Sequence, residues 1–152
     1  MYPRLNAHLV APEAMKPMFA LEAHIAGCGL EKSLIELVKT RASQINGCAF
    51  CVHMHTRDAR AAGETEERLY LLSAWRESPL YSERERAALA WTEALTLLPQ
   101  TGAPDEDYEG LKAHFTEVEI VNLTFLVATI NAWNRFGVGF RLVHPVARPA
   151  AA

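Results

Sequence analysis

Two cysteines and a histidine lie close together between residues 48 and 55. Cys48 and Cys51 form a Cys-x-x-Cys pair, and His55 follows four residues after the second cysteine. Two thiols at this spacing can close a disulfide within one helical turn, and a cysteine near a helix N-terminus favours the thiolate. These residue types therefore indicate reversible thiol–disulfide chemistry, with an imidazole available to move a proton.

Helical geometry separates the two histidines of this stretch. At about 100° of rotation per residue, Cys51 lies about 60° from Cys48, and His55 returns to about 20° from Cys48. His53 lies about 140° from Cys48 and points elsewhere. Only His55 shares a face with both thiols, and its spacing from Cys51 brings side chains on successive turns together. We expect His53 to be a surface or interface residue.

The composition is typical of one domain with a hydrophobic core. The chain has 152 residues, of which 50% are hydrophobic, and a formal net charge of −3. This charge gives no reason to expect a nucleic acid or an anionic membrane as a partner. Three cysteines are too few for a disulfide scaffold, so we expect thiols that are reduced at rest. Since no secretory signal or membrane span is evident, we expect a cytoplasmic protein.

Almost every segment of the chain is predicted to be helical, and no alternating pattern typical of a strand stands out. The predicted helices cover residues 13–26, 31–45, 47–62, 66–75, 82–98, 108–114 and 116–136, with capping-box patterns at Ser82 and Thr116. The redox pair lies at the N-terminal end of the third helix. We predict an all-α fold in a single domain, with its core at about 13–140 and a loosely ordered tail from 145 to 152.

Four residues resemble the core motif of the AhpD-like alkylhydroperoxidases, within the carboxymuconolactone decarboxylase superfamily. Glu36 lies twelve residues before Cys48. His55 lies four residues after Cys51, and both intervals match the spacing in that family. The segment from about residue 34 to residue 98 also looks like the family's small single-domain members.

The resemblance implies a thiol peroxidase with an AhpD-like helical fold. In that family the second cysteine attacks the hydroperoxide and the first resolves, which assigns these roles to Cys51 and Cys48. Glu36 and His55 would form the proton relay to the thiols. The resemblance also implies a homo-oligomer, trimer or hexamer, that is re-reduced by an external dithiol, in the best-known members a lipoylated protein. Phe50 departs from the pattern, because the founding AhpD proteins have a histidine there, so we expect a relay that differs in detail.

Other interpretations of the same residues stay open. Cys48, Cys51 and His55 could supply three zinc ligands, but no second Cys-x-x-Cys pair exists, so we expect neither a metal nor a bound cofactor. Glu36 taken alone is more typical of a solvated helix residue. A decarboxylase acting on a carboxymuconolactone is an alternative function that does not depend on the cysteine pair, and a non-enzymatic redox-sensing protein is another. Cys28 is expected to have no role.

Two further pairs of residues are candidates for a functional role. Phe50 and Trp133 are candidates to line a pocket for an organic peroxide. Asn131 and Asn134 are polar within an otherwise apolar helix. They are consistent with hydrogen bonding at an interface or active site, and equally with an exposed face.

Overall fold

The computed structural model describes residues 2–146, and within this range the chain forms helices and no β-strand. In chain order the helices are α1 (Ala7–Val10), α2 (Pro12–Gly27), α3 (Lys32–Ile45), α4 (Ala49–Ala61), α5 (Glu66–Leu71), α6 (Glu83–Thr96), α7 (Leu98–Thr101), α8 (Asp105–Lys112) and α9 (Glu117–Gly139). A 3₁₀ helix, Leu72–Glu77, follows α5. The predicted all-α fold is confirmed. No helix of the described range is long and apolar enough to cross a bilayer.

Helix α3 lies at the centre of the fold and packs against α4, α6 and α9. Its residues from 34 to 40 are all buried. Leu34, Ile35 and Val38 belong to one apolar cluster, which they share with side chains of α6 and α9. Leu37 belongs to a second cluster with Leu72, Trp75, Tyr81 and Leu89. Because apolar neighbours surround α3, its polar residues in this stretch are carried into the interior.

A cluster of charged groups joins α3 to α6. The Glu93 carboxylate on α6 accepts hydrogen bonds from Arg41 Nε at 2.7 Å and from the Trp75 indole at 2.9 Å, and it pairs with Arg76. Burial alone would raise the pKa of Glu93, but the hydrogen bonds from Arg76, the indole and Arg41 outweigh burial and lower that pKa. Ionised Glu93 therefore helps to fix the position of α3.

The first half of the chain departs from the predicted boundaries in two segments. Helix α4 begins at Ala49 rather than at Gly47, because Gly47 has a φ of +65° and Cys48 is extended. The segment predicted as one helix over 66–75 is divided into α5 and the 3₁₀ helix, inside which Ala74 has a non-helical φ of −116°. The predicted single helix was therefore wrong there.

The second half contains further differences. Helix α8 begins at Asp105, before the predicted start at residue 108, because acidic residues in its first turn stabilise a helix N-terminus. Helix α9 continues to Gly139 and does not stop at Phe136. The short helices α1 and α7 were not predicted. Both predicted capping boxes, at Ser82 and Thr116, are present. Of the predicted loose tail, residues 147–152 lie outside the described residues.

Candidate active site

The turn between α3 and α4 positions the two cysteines. Gly47, with its left-handed φ of +65°, follows the end of α3 and lets the chain reverse. Cys48 is the N-cap of α4, and its Sγ accepts a hydrogen bond from the backbone N–H of Cys51 at 3.3 Å. The two sulfurs lie at disulfide-bonding distance, with the Cα atoms 5.3 Å apart. The disulfide that the spacing allows is therefore compatible with this helix start.

A network of amides holds this turn against α9. Asn46 Nδ2 donates hydrogen bonds to Asn131 Oδ1 at 3.0 Å and to Asn134 Oδ1 at 2.9 Å. Asn134 is buried and donates to Ser43 Oγ at 3.0 Å. Arg135 donates to Asn46 Oδ1 at 3.2 Å. The polar residues of α9 therefore bind the segment that precedes the first cysteine, and this contact accounts for their presence in an apolar helix.

Glu36 and His55 meet between α3 and α4. Nδ1 of His55 lies 2.9 Å from Oε2 of Glu36, and only 5% of His55 and 9% of Glu36 is exposed. An ionised carboxylate can only accept hydrogen bonds, so this contact places the proton on Nδ1. Nε2 of His55 is then left to accept a proton from another group, or to return it. The structure thus brings Glu36 against the histidine and not into solvent.

A cavity of about 560 Å³ is lined by Cys51, His55 and Glu36, and we call it the histidine cavity. Phe50 and Trp133, the two aromatic residues predicted for a pocket, both line it. Its other side chains include apolar Phe19, Met54, Ile130 and Leu142 and charged Glu22, Lys39 and Asp58. The cavity can therefore hold an apolar molecule beside the Cys51 thiol and the His55 imidazole.

Lys39 is a polar residue of this cavity that sequence reasoning missed. It is 6% exposed, and its Nζ lies 2.6 Å from Oε2 of Glu22. A buried ammonium group needs such a partner, because desolvation of an unpaired charge is costly. Its spacing of three residues from Glu36 on α3 puts both side chains on one helix face, a signal that the sequence contains.

Gly137 of α9 lies directly against the cysteine pair. A Cβ atom at this position would stand 2.6 Å from Cys48 Sγ and 3.3 Å from Cys51 Sγ. Only glycine allows α9 to pack this closely on the sulfurs. At Gly139 a Cβ would meet nothing within 4 Å. The sequence predicted that the helix ends at residue 136, just before Gly137, because a lone glycine in a helical pattern is a weak signal of close packing.

Two residues that the sequence singled out lie elsewhere. His53 stacks on His144 with a ring-centroid distance of 4.7 Å and does not line the histidine cavity. Cys28 is a half-buried free cysteine at the end of α2. Among residues 2–146, no group of three or more His, Cys, Asp or Glu side chains is arranged to hold a metal ion.

Comparison with known proteins identifies the family. The sequence model of the carboxymuconolactone decarboxylase family matches residues 12–94, which contain Glu36, both cysteines of the pair and His55. This chain belongs to the carboxymuconolactone decarboxylase family. It is also 44% identical over 135 residues to YdfG, an uncharacterized protein of Bacillus subtilis, and the match covers 89% of this chain and 92% of YdfG.

Solved structures share the fold of this family member. A protein of unknown function from Agrobacterium tumefaciens, described as a candidate antioxidant defence protein AhpD, is 50% identical with a TM-score of 0.94. That match covers 96% of this chain and 100% of the other. The debrominase Bmp8 has a TM-score of 0.80 at 19% identity, over 88% of this chain and 72% of Bmp8, which shows the fold alone. The predicted AhpD-like fold is confirmed, and the family supports a peroxidase-related or decarboxylase-type role.

Proposed function

We propose that this protein is a thiol-dependent peroxidase, which reduces hydroperoxides through a Cys48–Cys51 dithiol/disulfide cycle. One observation carries the proposal: Cys51 and the hydrogen-bonded pair of Glu36 and His55 line the same cavity. A peroxidase needs a group that removes the thiol proton and then returns a proton to the departing oxygen. A histidine backed by a carboxylate suits both tasks.

The oxidation step begins at Cys51. Nε2 of His55 takes the thiol proton, because Nδ1 is engaged by Glu36. The thiolate attacks the terminal oxygen of the hydroperoxide and the O–O bond breaks. The departing alkoxide takes the proton back from His55, so the products are an alcohol and a sulfenic acid on Cys51.

Cys48 then resolves the sulfenic acid. Its thiolate attacks Sγ of Cys51, a disulfide forms, and the hydroxyl group leaves as water after taking up a proton. Cys48 Sγ accepts a hydrogen bond from the backbone N–H of Cys51 at the helix N-terminus. This hydrogen bond favours the thiolate that the attack needs. An external dithiol reduces the disulfide and completes the cycle without a bound cofactor, and a lipoylated protein is our candidate for that reductant.

The walls of the histidine cavity favour an organic hydroperoxide over hydrogen peroxide. Phe19, Phe50 and Trp133 line it. Burying an apolar group contributes roughly 25 cal/mol per Å² of apolar surface, which hydrogen peroxide lacks. We therefore propose that the substrate carries an alkyl or aromatic group of a size that this cavity admits.

We further propose that the protein assembles as a homo-oligomer, a trimer or a hexamer, as the family resemblance implies. Val118 and Val121 on α9 are 70% and 66% exposed. Their spacing of three residues puts both on one helix face. This apolar face is our candidate for a subunit contact, since apolar patches on a surface commonly mark interfaces.

Stopped-flow assays with cumene hydroperoxide and with hydrogen peroxide test the proposed activity. The reduced protein is expected to consume hydroperoxide continuously when a dithiol is in excess, and mass spectrometry should find a Cys48–Cys51 disulfide. The Cys28→Ser variant is the control and should behave like the wild type. A single oxidation of the protein without turnover would favour the redox-sensing protein. Activity on a carboxymuconolactone, with none on hydroperoxides, would favour the decarboxylase. Bromide release from a bromopyrrole, the class of ligand solved with Bmp8, would redirect the assignment.

A further inference from the structure

The two cysteines line different cavities. Cys51 lines the histidine cavity, whereas Cys48 lines a second cavity of about 340 Å³. We call the second one the arginine cavity, because Arg4 and Arg141 line it. Phe50 lines both cavities and therefore lies between them. A molecule can thus approach the disulfide from either of two sides.

The charges on these two sides differ in sign. Arg4 and Arg141 are exposed, and among the described residues that line the arginine cavity there is no Asp or Glu. The histidine cavity instead carries Glu22, Glu36 and Asp58, against one lysine and two histidines. An anion is therefore attracted to the arginine cavity and is opposed at the other.

We propose that the reductant of this protein is an anionic thiol that enters the arginine cavity and attacks Sγ of Cys48. This inference rests on the dithiol/disulfide cycle proposed above. The nucleophile in thiol–disulfide exchange is a thiolate, so a cationic cavity raises its local concentration and favours its ionised form. A carboxylate elsewhere on the reductant, which in a lipoylated protein would be an acidic side chain near the lipoyl group, adds a second attraction to the arginines.

The reduction transfers two electrons to the protein. The thiolate of the reductant forms a bond to Cys48 Sγ, the disulfide bond breaks, and Cys51 leaves with the electron pair. Cys51 then takes a proton that His55 has taken up from solvent. The second thiol of the reductant, once deprotonated, attacks the reductant's own sulfur in the mixed disulfide. Cys48 then leaves as a thiolate and takes up a proton, and the reductant departs as a cyclic disulfide.

Attack on Cys51 would instead make Cys48 the leaving group. Exposure does not choose between the sulfurs, since Cys48 is 2% and Cys51 4% exposed. The hydrogen bond that Cys48 Sγ accepts from the backbone N–H of Cys51 at 3.3 Å would stabilise Cys48 as the leaving group. That contact is one neutral hydrogen bond. Cys51 shares its cavity with His55, and in the proposed cycle a protonated His55 would offer the departing Cys51 sulfur a charged donor. Charge-assisted bonds are roughly twice as strong as neutral ones. The leaving group and the cavity charge therefore both favour attack on Cys48.

Trapping of the mixed disulfide tests which sulfur is attacked. The disulfide is formed with diamide, so the experiment does not require hydroperoxide to be the oxidant. The oxidised full chain is mixed with 2-mercaptoethanesulfonate, an anionic monothiol, and quenched with iodoacetamide. Peptide mass spectrometry should find the thiol on Cys48 and the alkyl group on Cys51. The reverse assignment, or an equal distribution, would overturn the inference. If the thiol were found on Cys48 but the protein did not consume hydroperoxide, the proposed function would be contradicted and the inference about the reductant would stand.

Charge variants test the recognition. Dihydrolipoate and dihydrolipoamide differ by one carboxylate, and the wild type should be reduced faster by dihydrolipoate. Arg141→Glu should slow reduction by dihydrolipoate about fivefold and reduction by dihydrolipoamide about twofold, because both attack as thiolates but only dihydrolipoate carries the carboxylate. Arg141 is the better site to vary, because Arg4 also donates a hydrogen bond to the Gly139 carbonyl at 3.2 Å.

Lys32→Glu is the matched control for these rates. Lys32 is exposed, begins α3, lines neither cavity and undergoes the same change of charge. Its variant should keep both wild-type reduction rates, and Arg141→Gln should show a smaller loss than Arg141→Glu. Equal slowing of both reductants by Arg141→Glu, or no slowing of either, would overturn the charge recognition.

Discussion

Nδ1 of His55 on α4 lies 2.9 Å from Oε2 of Glu36 on α3, across a sequence separation of 19 residues. Both side chains are buried, so water screens this contact little. The carboxylate fixes the orientation and the tautomer of the imidazole, which presents Nε2 as a base. The proton relay that we propose depends on this single contact.

Removal of either partner should slow the oxidation of Cys51. We expect His55→Ala to lower the second-order rate constant with hydroperoxide about 10²-fold, because general acid–base catalysis typically contributes at least that much. Glu36→Gln should lower it about tenfold, since the amide keeps the shape but not the charge that strengthens the base. Stopped-flow rates across the pH range in which histidine and cysteine titrate provide the measurement.

Glu67→Gln is the control for these two variants. Glu67 is exposed on α5 and lines neither cavity. The same loss of a carboxylate at this position should leave the pH–rate profile unchanged. If Glu36→Gln and His55→Ala also kept the wild-type profile, neither residue would belong to the relay.

Gly137 should not tolerate a side chain. In Gly137→Ala the new Cβ would stand 2.6 Å from Cys48 Sγ, so α9 or the sulfur must move. We expect a loss of about 1–3 kcal/mol in the free energy of unfolding of the oxidised protein, as is typical of overpacking. Urea unfolding of the oxidised and reduced forms measures this loss.

Gly139→Ala provides the matched control on the same helix. Its Cβ would have open space. The free energy of unfolding should therefore stay unchanged or rise by up to about 1 kcal/mol, because alanine stabilises a helix more than glycine does. Equal effects of the two substitutions would contradict the close contact between Gly137 and the sulfurs.

The Glu93 cluster should make stability depend on acid pH. The pKa of Glu93 is lower in the folded chain than its ordinary value of 4.5. The stabilising contribution of ionised Glu93 is therefore complete at pH values above the ordinary pKa, and it is lost as the pH falls through the lowered pKa of the folded chain. Glu93→Gln should cost about 2 kcal/mol at neutral pH, and the difference from wild type should shrink in acid. Chemical unfolding at several pH values measures it, and a difference that does not change with pH would contradict this account.

The starts of α6 and α9 were predictable because their signals are local. Ser82 and Thr116 each stand three residues before a glutamate, and both capping boxes form. The ends were less predictable. Gly137 resembles a stop signal but continues α9, because tertiary packing on the sulfurs requires a glycine within the helix. The helix α1, with 4 residues, is too short to show an apolar period.

The four proposed catalytic residues were predictable from the sequence, but their contacts were not. Spacing and resemblance singled out Glu36 and His55, yet only the packing of α3 on α4 brings the two together. Asn131 could not be assigned from sequence, because its partner Asn46 lies 85 residues away. The catalytic roles of these residues stay predictions.

The division of roles between the two cysteines is the central claim, and trapping of the sulfenic acid tests it most directly. Reduced Cys48→Ser and Cys51→Ser are each treated with one equivalent of hydroperoxide and then with dimedone, and mass spectrometry locates the adduct. We predict a dimedone adduct on Cys51 in Cys48→Ser, formed at nearly the wild-type rate and without turnover, and no rapid oxidation of Cys51→Ser. Rapid formation of an adduct on Cys48 in Cys51→Ser, or wild-type turnover by both variants, would contradict the account.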